Sequence, residues 1–137
     1  MKKTLKFLAL TMVIAMICLT FASCGGPNPD PDKAVKNLKD NDITWAVKDD
    51  YGVPTALKLL GVDGVDCAVT GNGEIDGKYA HITIIYFDEA EDAKEAYEKI
   101  EKYSENYKKD TEDSDWVLKK SGKMIYFGTK DAVKAAK

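Results

Sequence analysis

The chain has 137 residues, of which 45% are hydrophobic and 9% aromatic, a length and composition typical of one modest globular domain. It carries 20 basic and 23 acidic residues, and every basic residue is a lysine. An acidic protein without arginine lacks both the clustered positive charge and the bidentate forks that suit phosphate groups, so nucleic acid is not an expected partner.

The N-terminal segment has the pattern of an export signal. Three lysines precede an apolar run at residues 7–22, and small residues lead up to Ser23 and Cys24. The run is shorter than the ~20 residues that cross a bilayer comfortably. Residues 21–24, Phe-Ala-Ser-Cys, resemble the lipobox of bacterial lipoproteins, although leucine is usual where Phe21 stands.

The lipobox resemblance implies cleavage between Ser23 and Cys24 and a diacylglyceryl group on the Cys24 thiol. The protein is then expected to be anchored in the cell membrane through this lipid, with its domain on the extracytoplasmic face. Residues 1–23 are the predicted signal peptide, and the glycine- and proline-rich residues 24–32 are the predicted lipidated cysteine and flexible spacer. Residues 33–137 are the predicted single domain. The alternative is an uncleaved membrane anchor.

Short sequence patterns predict a helix, a strand and a second helix at the start of the domain. Asp30 or Asp32 is suited to cap a helix over Lys33–Asp40, and a strand follows over Ile43–Lys48. A short helix is expected over Thr55–Leu60. The strand's predicted buried face contains Ile43, Trp45 and Val47.

The clearest signal is a hairpin formed by Val65–Ile75 and Lys78–Phe87 around Asp76-Gly77, a dipeptide that favours a type I′ turn. Pairing Ile75 with Lys78 fixes the register, because a slip by one residue would exchange the two faces. One face is then apolar and contains Cys67, Val69, Gly71, Ile82, Ile84 and Tyr86. The other is largely polar, pairs Asp66 with Phe87, and contains Thr70, Asn72, His81 and Thr83.

The sequence of the C-terminal part predicts a long helix, a hairpin and a last short helix. Asp88 is suited to cap a long helix that runs to about Lys109 with an apolar stripe at helical spacing. A second hairpin is expected over Trp116–Lys120 and Lys123–Gly128. Thr129 is expected to cap a last helix at Lys130–Ala136. In the second hairpin one face is expected to contain Trp116, Leu118, Ile125 and Phe127.

This order of elements predicts an α+β fold. The expected architecture is a two-layer sandwich with a roughly five-stranded antiparallel or mixed sheet and helices on one face.

Two stretches resemble small, uncharacterised bacterial lipoproteins. They are Ile84–Tyr97, which contains Ile-Ile-Tyr-Phe-Asp, and Ser121–Lys130, Ser-Gly-Lys-Met-Ile-Tyr-Phe-Gly-Thr-Lys. The shared positions are turn, core and capping residues. The resemblance therefore implies a shared fold and no activity for any residue of this chain.

The sequence contains no recognisable catalytic constellation. Cys67 is the only thiol in the predicted domain, so an intrachain disulfide is not possible there. It faces the predicted core, whereas His81 lies on the other face and several residues away along the hairpin, so the two do not form a nucleophilic pair. One histidine and one free cysteine make no zinc set. We therefore expect a protein that is not an enzyme and has no cofactor and no metal site.

The remaining candidate site is the polar face of the sheet, which is open if helices cover only the other side. Its candidate partner-binding residues are Tyr79, His81, Thr83, Met124 and Tyr126. The first hypothesis is a non-catalytic interaction module that binds an envelope protein, peptide or polymer. The alternatives are a small cell-envelope hydrolase or its accessory subunit, and a structural or immunity-type lipoprotein.

Overall fold

A computed structural model of the chain describes residues 26–108 and 111–137. The predicted signal peptide, including Ser23, and the lipidation candidate Cys24 lie outside the described residues. The described part forms four α-helices and five strands, and Asp113–Asp115 adds one 3₁₀ turn. In chain order they are α1 Pro31–Asp40, β1 Trp45–Asp49, α2 Gly52–Leu59, β2 Val65–Ile75, β3 Lys78–Phe87, α3 Ala90–Lys108, β4 Trp116–Ser121, β5 Met124–Thr129 and α4 Lys130–Ala135.

The strands form one antiparallel sheet in the order β1-β2-β3-β5-β4. The predicted α+β class and the five-stranded sheet are confirmed. The long β2–β3 hairpin has the predicted register from Ile75↔Lys78 to Cys67↔Tyr86. Beyond Cys67 a bulge leaves Asp66 out of the ladder, so Phe87 pairs with Val65 rather than with Asp66.

Helices lie on both faces of the sheet, not on one face as the sequence predicted. The physical reason is β3, whose residues from Ala80 to Phe87 are all buried, so both of its faces need a cover. On the first face α1 and α4 pack over a core that includes Leu38, Ile43, Val69, Ile82, Ile84 and Ala132. On the second face α2 and α3 pack over Leu57, Ile85, Ile100, Ile125 and Phe127.

The faces of β1 are the reverse of the prediction. Ala46 points into the first face and is buried, whereas Trp45 is 54% exposed and Val47 is 40% exposed. The small residues opposite α1 explain the reversal, since a Cβ on Gly71 would lie only 3.0 Å from Ile43 Cγ2. Ile43 is buried as expected, but it fills this space from the segment before the strand.

The predicted flexible spacer is in part folded. Pro27 is buried, and α1 begins at Pro31, two residues earlier than expected. Asp30 is the N-cap of α1, and its carboxylate accepts hydrogen bonds from the backbone N–H groups of Asp32 and Lys33. The described residues before α1 therefore belong to the domain.

Candidate binding surface

His81 lies at the centre of the second face and is only 2% exposed. Its Nδ1 lies 2.7 Å from Asn72 Oδ1, an acceptor, so Nδ1–H donates this bond. Its Nε2 then accepts from the Thr83 hydroxyl, whose oxygen lies 2.9 Å away. Both ring nitrogens thus have partners from the hairpin itself, and the ring is fixed in one orientation.

Aromatic rings surround His81. The ring of Tyr107 from α3 stacks on it at a centroid distance of 5.1 Å, and Phe127 and Trp116 lie at 6.2 and 6.4 Å. The Tyr79 ring stacks at 6.4 Å on the side of the β2–β3 turn. Helix α3 and the second hairpin therefore cover a histidine that the sequence placed on an open face.

The end of α3 contributes two tyrosines with a shared hydrogen bond. Tyr103 Oη lies 2.8 Å from Tyr107 Oη, and both rings pack against Phe127. Burial, followed by this hydrogen bond, raises the pKa of Tyr103 above its usual value. Both features favour the neutral phenol of Tyr103.

The structure does not bring the five predicted site residues together on an open surface. Tyr79 is 44% exposed, but His81 and Thr83 are buried under α3. Met124 and Tyr126 are also buried, and they lie on the first face, because β5 pairs Tyr126 with Ile84 and Phe127 with Thr83. The prediction of one open face containing all five residues is wrong, since the register of β5 and the path of α3 divide them.

A smaller part of the second face does remain uncovered. The pairings Trp45↔Asn72, Val47↔Thr70 and Glu74↔Tyr79 place six side chains on this face, from the edge strand β1 across β2 to the start of β3, and all six are partly or largely exposed. We call this surface the open end of the sheet. It consists of Trp45, Val47, Thr70, Asn72, Glu74 and Tyr79.

The sequence predicted that Asn72 and Tyr79 lie on a polar face, and they do, but it did not predict Trp45 and Val47 there. Their alternation with Ala46 is compatible with either face being buried. The signal that distinguishes the faces is residue size, because Ala46 and its partner Gly71 leave room for α1 on the first face. A bulky Trp45 on the opposite face then points away from that helix.

Helix α2 borders the open end, and Asp49 holds its N-terminus. The Asp49 carboxylate accepts hydrogen bonds from the backbone N–H groups of Tyr51, Gly52 and Val53 at 2.7–2.9 Å. Partial burial alone would raise the pKa of Asp49, but these three hydrogen bonds outweigh it and lower the pKa. The end of β1 thereby fixes the position of α2.

Cys67 is a core residue, as predicted. It is 1% exposed in the first-face core, and burial, followed by the charge of Asp66, raises the pKa of its thiol to about 11. The thiolate, which is the nucleophilic form, is therefore strongly disfavoured at neutral pH. His81 lies on the other face, which confirms that the two do not form a pair.

A cleft of about 510 Å³ opens beside the start of α4. Tyr79 lines it, so it adjoins the open end. Thr129 also lines it, but its hydroxyl does not cap α4 as predicted, because it accepts a hydrogen bond from the His81 N–H at 3.2 Å. The His81 ring is not part of the lining, whose charged side chains are Lys78, Glu112, Asp115, Lys130 and Asp131.

Across residues 26–108 and 111–137, no helix is long and apolar enough to span a bilayer. Within the same ranges, no group of three or more His, Cys, Asp or Glu side chains is arranged to hold a metal ion. Comparison of the chain with protein-family models, curated proteins and solved structures finds no match.

Proposed function

We propose that this protein is a non-catalytic binding module, anchored to the cell membrane by a lipid on Cys24 and acting on the extracytoplasmic side. Its partner is a protein of the cell envelope that docks on the open end of the sheet. The proposal rests on two independent features: the lipobox-like segment at residues 21–24 and the distribution of exposed apolar side chains.

The distribution of exposed apolar side chains carries the binding part of the proposal. In the described part of the chain, large apolar side chains that are exposed lie mostly in β1, in α2 with the residue after it, and in the turn between them. Concentrated apolar exposure is typical of interaction sites in soluble domains. Among residues 26–108 and 111–137, the exposed large apolar side chains are Trp45, Val47, Tyr51, Leu59, Leu60 and Tyr79, the last at the same end of the sheet as Trp45.

The position of β1 favours an extended partner segment. Strand β1 is an edge strand, and an exposed edge offers backbone donors and acceptors to an added strand. The other edge strand, β4, has the consecutive exposed lysines Lys119 and Lys120, a common protection against such pairing. Strand β1 has one exposed lysine, Lys48, and on the second face it presents Trp45 and Val47, which supports partner binding at this edge.

The anchor is tested by the intact mass of the protein purified from membranes. We expect a chain that begins at Cys24 and carries a diacylglyceryl group. A Cys24→Ser variant is the matched control, and it should keep residues 1–23 and lack the lipid. A wild-type protein that retains residues 1–23, or one with an unmodified Cys24, would contradict the anchor.

The binding surface is tested by site-specific photo-crosslinking in intact cells. A photoreactive residue at Val47 should give a discrete adduct with an envelope protein, and one at Lys119 on the other edge should not. Combining the Val47 probe with Trp45→Ala and Tyr79→Ala should remove the adduct without changing the unfolding midpoint. Equal adducts at both positions, or an adduct that survives the double substitution, would contradict binding at the open end.

A further inference from the structure

The residues that precede α1 are packed against the first face. The Asn28 N–H donates a hydrogen bond of 2.8 Å to the Ala136 carbonyl, and the Tyr86 hydroxyl donates one of 2.8 Å to the Asn28 carbonyl. Pro27, the residue before Asn28, is buried. The segment thus joins the end of α4 to the centre of the sheet.

Gly26 lies directly against the sheet. A Cβ at this position would lie 2.3 Å from Cζ of Tyr126, and Tyr126 is only 3% exposed in the core, so its ring has little room to move. Only glycine allows the backbone this close to the ring. The chain is therefore held to the domain from its first described residue.

This packing leaves almost no free tether after Cys24. Cys24 is two residues before Gly26, and two residues span at most ~7 Å. We infer that the docked segment fixes the orientation of the domain on the membrane, with the surface around Gly26 against lipid headgroups and the open end facing outward. The inference rests on the lipid anchor of the proposed function, and it adds which surface meets the membrane.

The surface around Gly26 has the chemistry of a headgroup contact. A cleft of about 590 Å³ lies between the docked segment and the β4–β5 turn. Its lining includes Ser121 and Gly122 and has two lysines, Lys123 and Lys137, against one carboxylate, Asp66. Lysine side chains near a membrane surface are attracted to anionic headgroups. None of the exposed large apolar residues in the described part of the chain lies here, so the contact is with headgroups and not with the acyl chains.

The topology places the open end far from this surface. Gly26 contacts the first face at β5, near the end of the sheet where Met124 pairs with Tyr86. Trp45 lies on the second face, in the edge strand on the other side of β3, at the end where β2 turns into β3. A domain that rests on the Gly26 surface therefore presents Trp45 away from the membrane.

The orientation is tested by paramagnetic relaxation in nanodiscs of phosphatidylcholine, phosphatidylglycerol and a gadolinium-chelating lipid. In the membrane-purified, lipidated protein, we expect the amide signals of Ser121–Lys123 to broaden several-fold more than those of Trp45 and Gly77. A flexible Gly-Ser segment inserted between Gly25 and Gly26 should abolish the difference. The matched control is an equal insertion in the β2–β3 turn at Gly77, which should preserve it.

A second preparation separates the orientation from the anchor. A chain beginning at Cys24 is coupled through that thiol to a maleimide-bearing lipid, while Cys67 is too buried to react. If the membrane-purified protein lacks a lipid, the proposed anchor fails, and the coupled protein still reports the orientation. Equal broadening of both sets of amides in the coupled protein, or a difference that survives the longer tether, would overturn the inference.

Discussion

The two edge strands of the sheet both begin with a tryptophan, but the two tryptophans lie in opposite environments. Strand β1 begins with Trp45 and strand β4 with Trp116, and both side chains lie on the second face. Trp116 is half-buried under α3, with its ring 6.0 Å from that of Phe127. Trp45 is 54% exposed at the open end.

The difference arises from which helices reach each edge. Helix α3 runs over β4 and β5, whereas the shorter α2 reaches only part of β1 and β2. The strands themselves are similar in length and in alternation, so their local sequences do not decide which tryptophan is covered. Packing of α3 buries one edge of the sheet, whereas the other edge stays exposed and is a candidate binding surface.

The largest expected effect comes from removing the covered tryptophan. Trp116→Ala should lower the free energy of unfolding by about 3 kcal/mol, near the lower end of the range for core aromatic residues because the side chain is only half-buried. Trp45→Ala should change it by less than about 0.5 kcal/mol, as exposed substitutions usually do. Urea unfolding followed by circular dichroism measures both values.

This pair of variants is its own control, since the same side chain is removed from equivalent positions of two edge strands. Similar losses for the two variants would mean that both edges are covered to the same degree. That result would remove the basis for treating the open end as a free surface.

His81, between the covered and open parts of the second face, gives the next largest effect. His81→Phe keeps a planar ring among the aromatic side chains but leaves the Thr83 hydroxyl, which is buried, without its imidazole partner. A buried polar group that loses its partner costs 1–3 kcal/mol, so we expect a loss of about 2 kcal/mol in urea unfolding.

The double variant His81→Phe/Thr83→Val distinguishes this cause from poor packing. Because it removes both partners of the hydrogen bond, it should recover most of the stability that His81→Phe loses. Losses that simply add in the double variant would show that the hydrogen bond contributes little and that ring packing controls this position.

Much of the fold is predictable from local signals. Asp76-Gly77 fixes the β2–β3 turn, and the alternating faces fix the register as far as Cys67, because a slipped register would place apolar and polar residues on the wrong sides. The bulge after Cys67 has no such signal. Glycines, which often accompany bulges, lie elsewhere in β2, at positions 71 and 73, where they allow close packing against Ile43 and Leu38.

The candidate site is less predictable, because burial of a sheet face depends on contacts between distant parts of the chain. Whether His81 is exposed depends on Tyr107, which lies in α3, 26 residues further along the chain. Whether Tyr126 shares a face with Thr83 depends on the β3–β5 register, which no turn specifies. Tyr79, next to a tight turn at the rim of the sheet, is the one predicted site residue whose exposure its local sequence indicates correctly.

The smallest of the three effects tests the helix that borders the open end. Asp49→Ala removes the acceptor of three backbone N–H groups at the start of α2 and should cost about 1 kcal/mol of unfolding free energy. The folded state lowers the pKa of Asp49 below its ordinary 3.8, so this contribution is fully present above that value. It should disappear as the pH falls through the folded pKa, and the wild-type and variant stabilities should converge in acid.

Asp50→Ala is the matched control, because Asp50 is an adjacent exposed carboxylate whose ion pair with Lys48 is long, at 3.9 Å. It should leave stability nearly unchanged at every pH. If Asp49→Ala weakens crosslinking at Val47 and Asp50→Ala does not, then the position of α2 shapes the open end, and the hydrogen bonds of Asp49 contribute to binding as well as to stability. If Asp49→Ala lowers stability yet leaves the adduct intact, the partner contacts β1 alone, and the binding surface narrows to the edge that Trp45 and Val47 present.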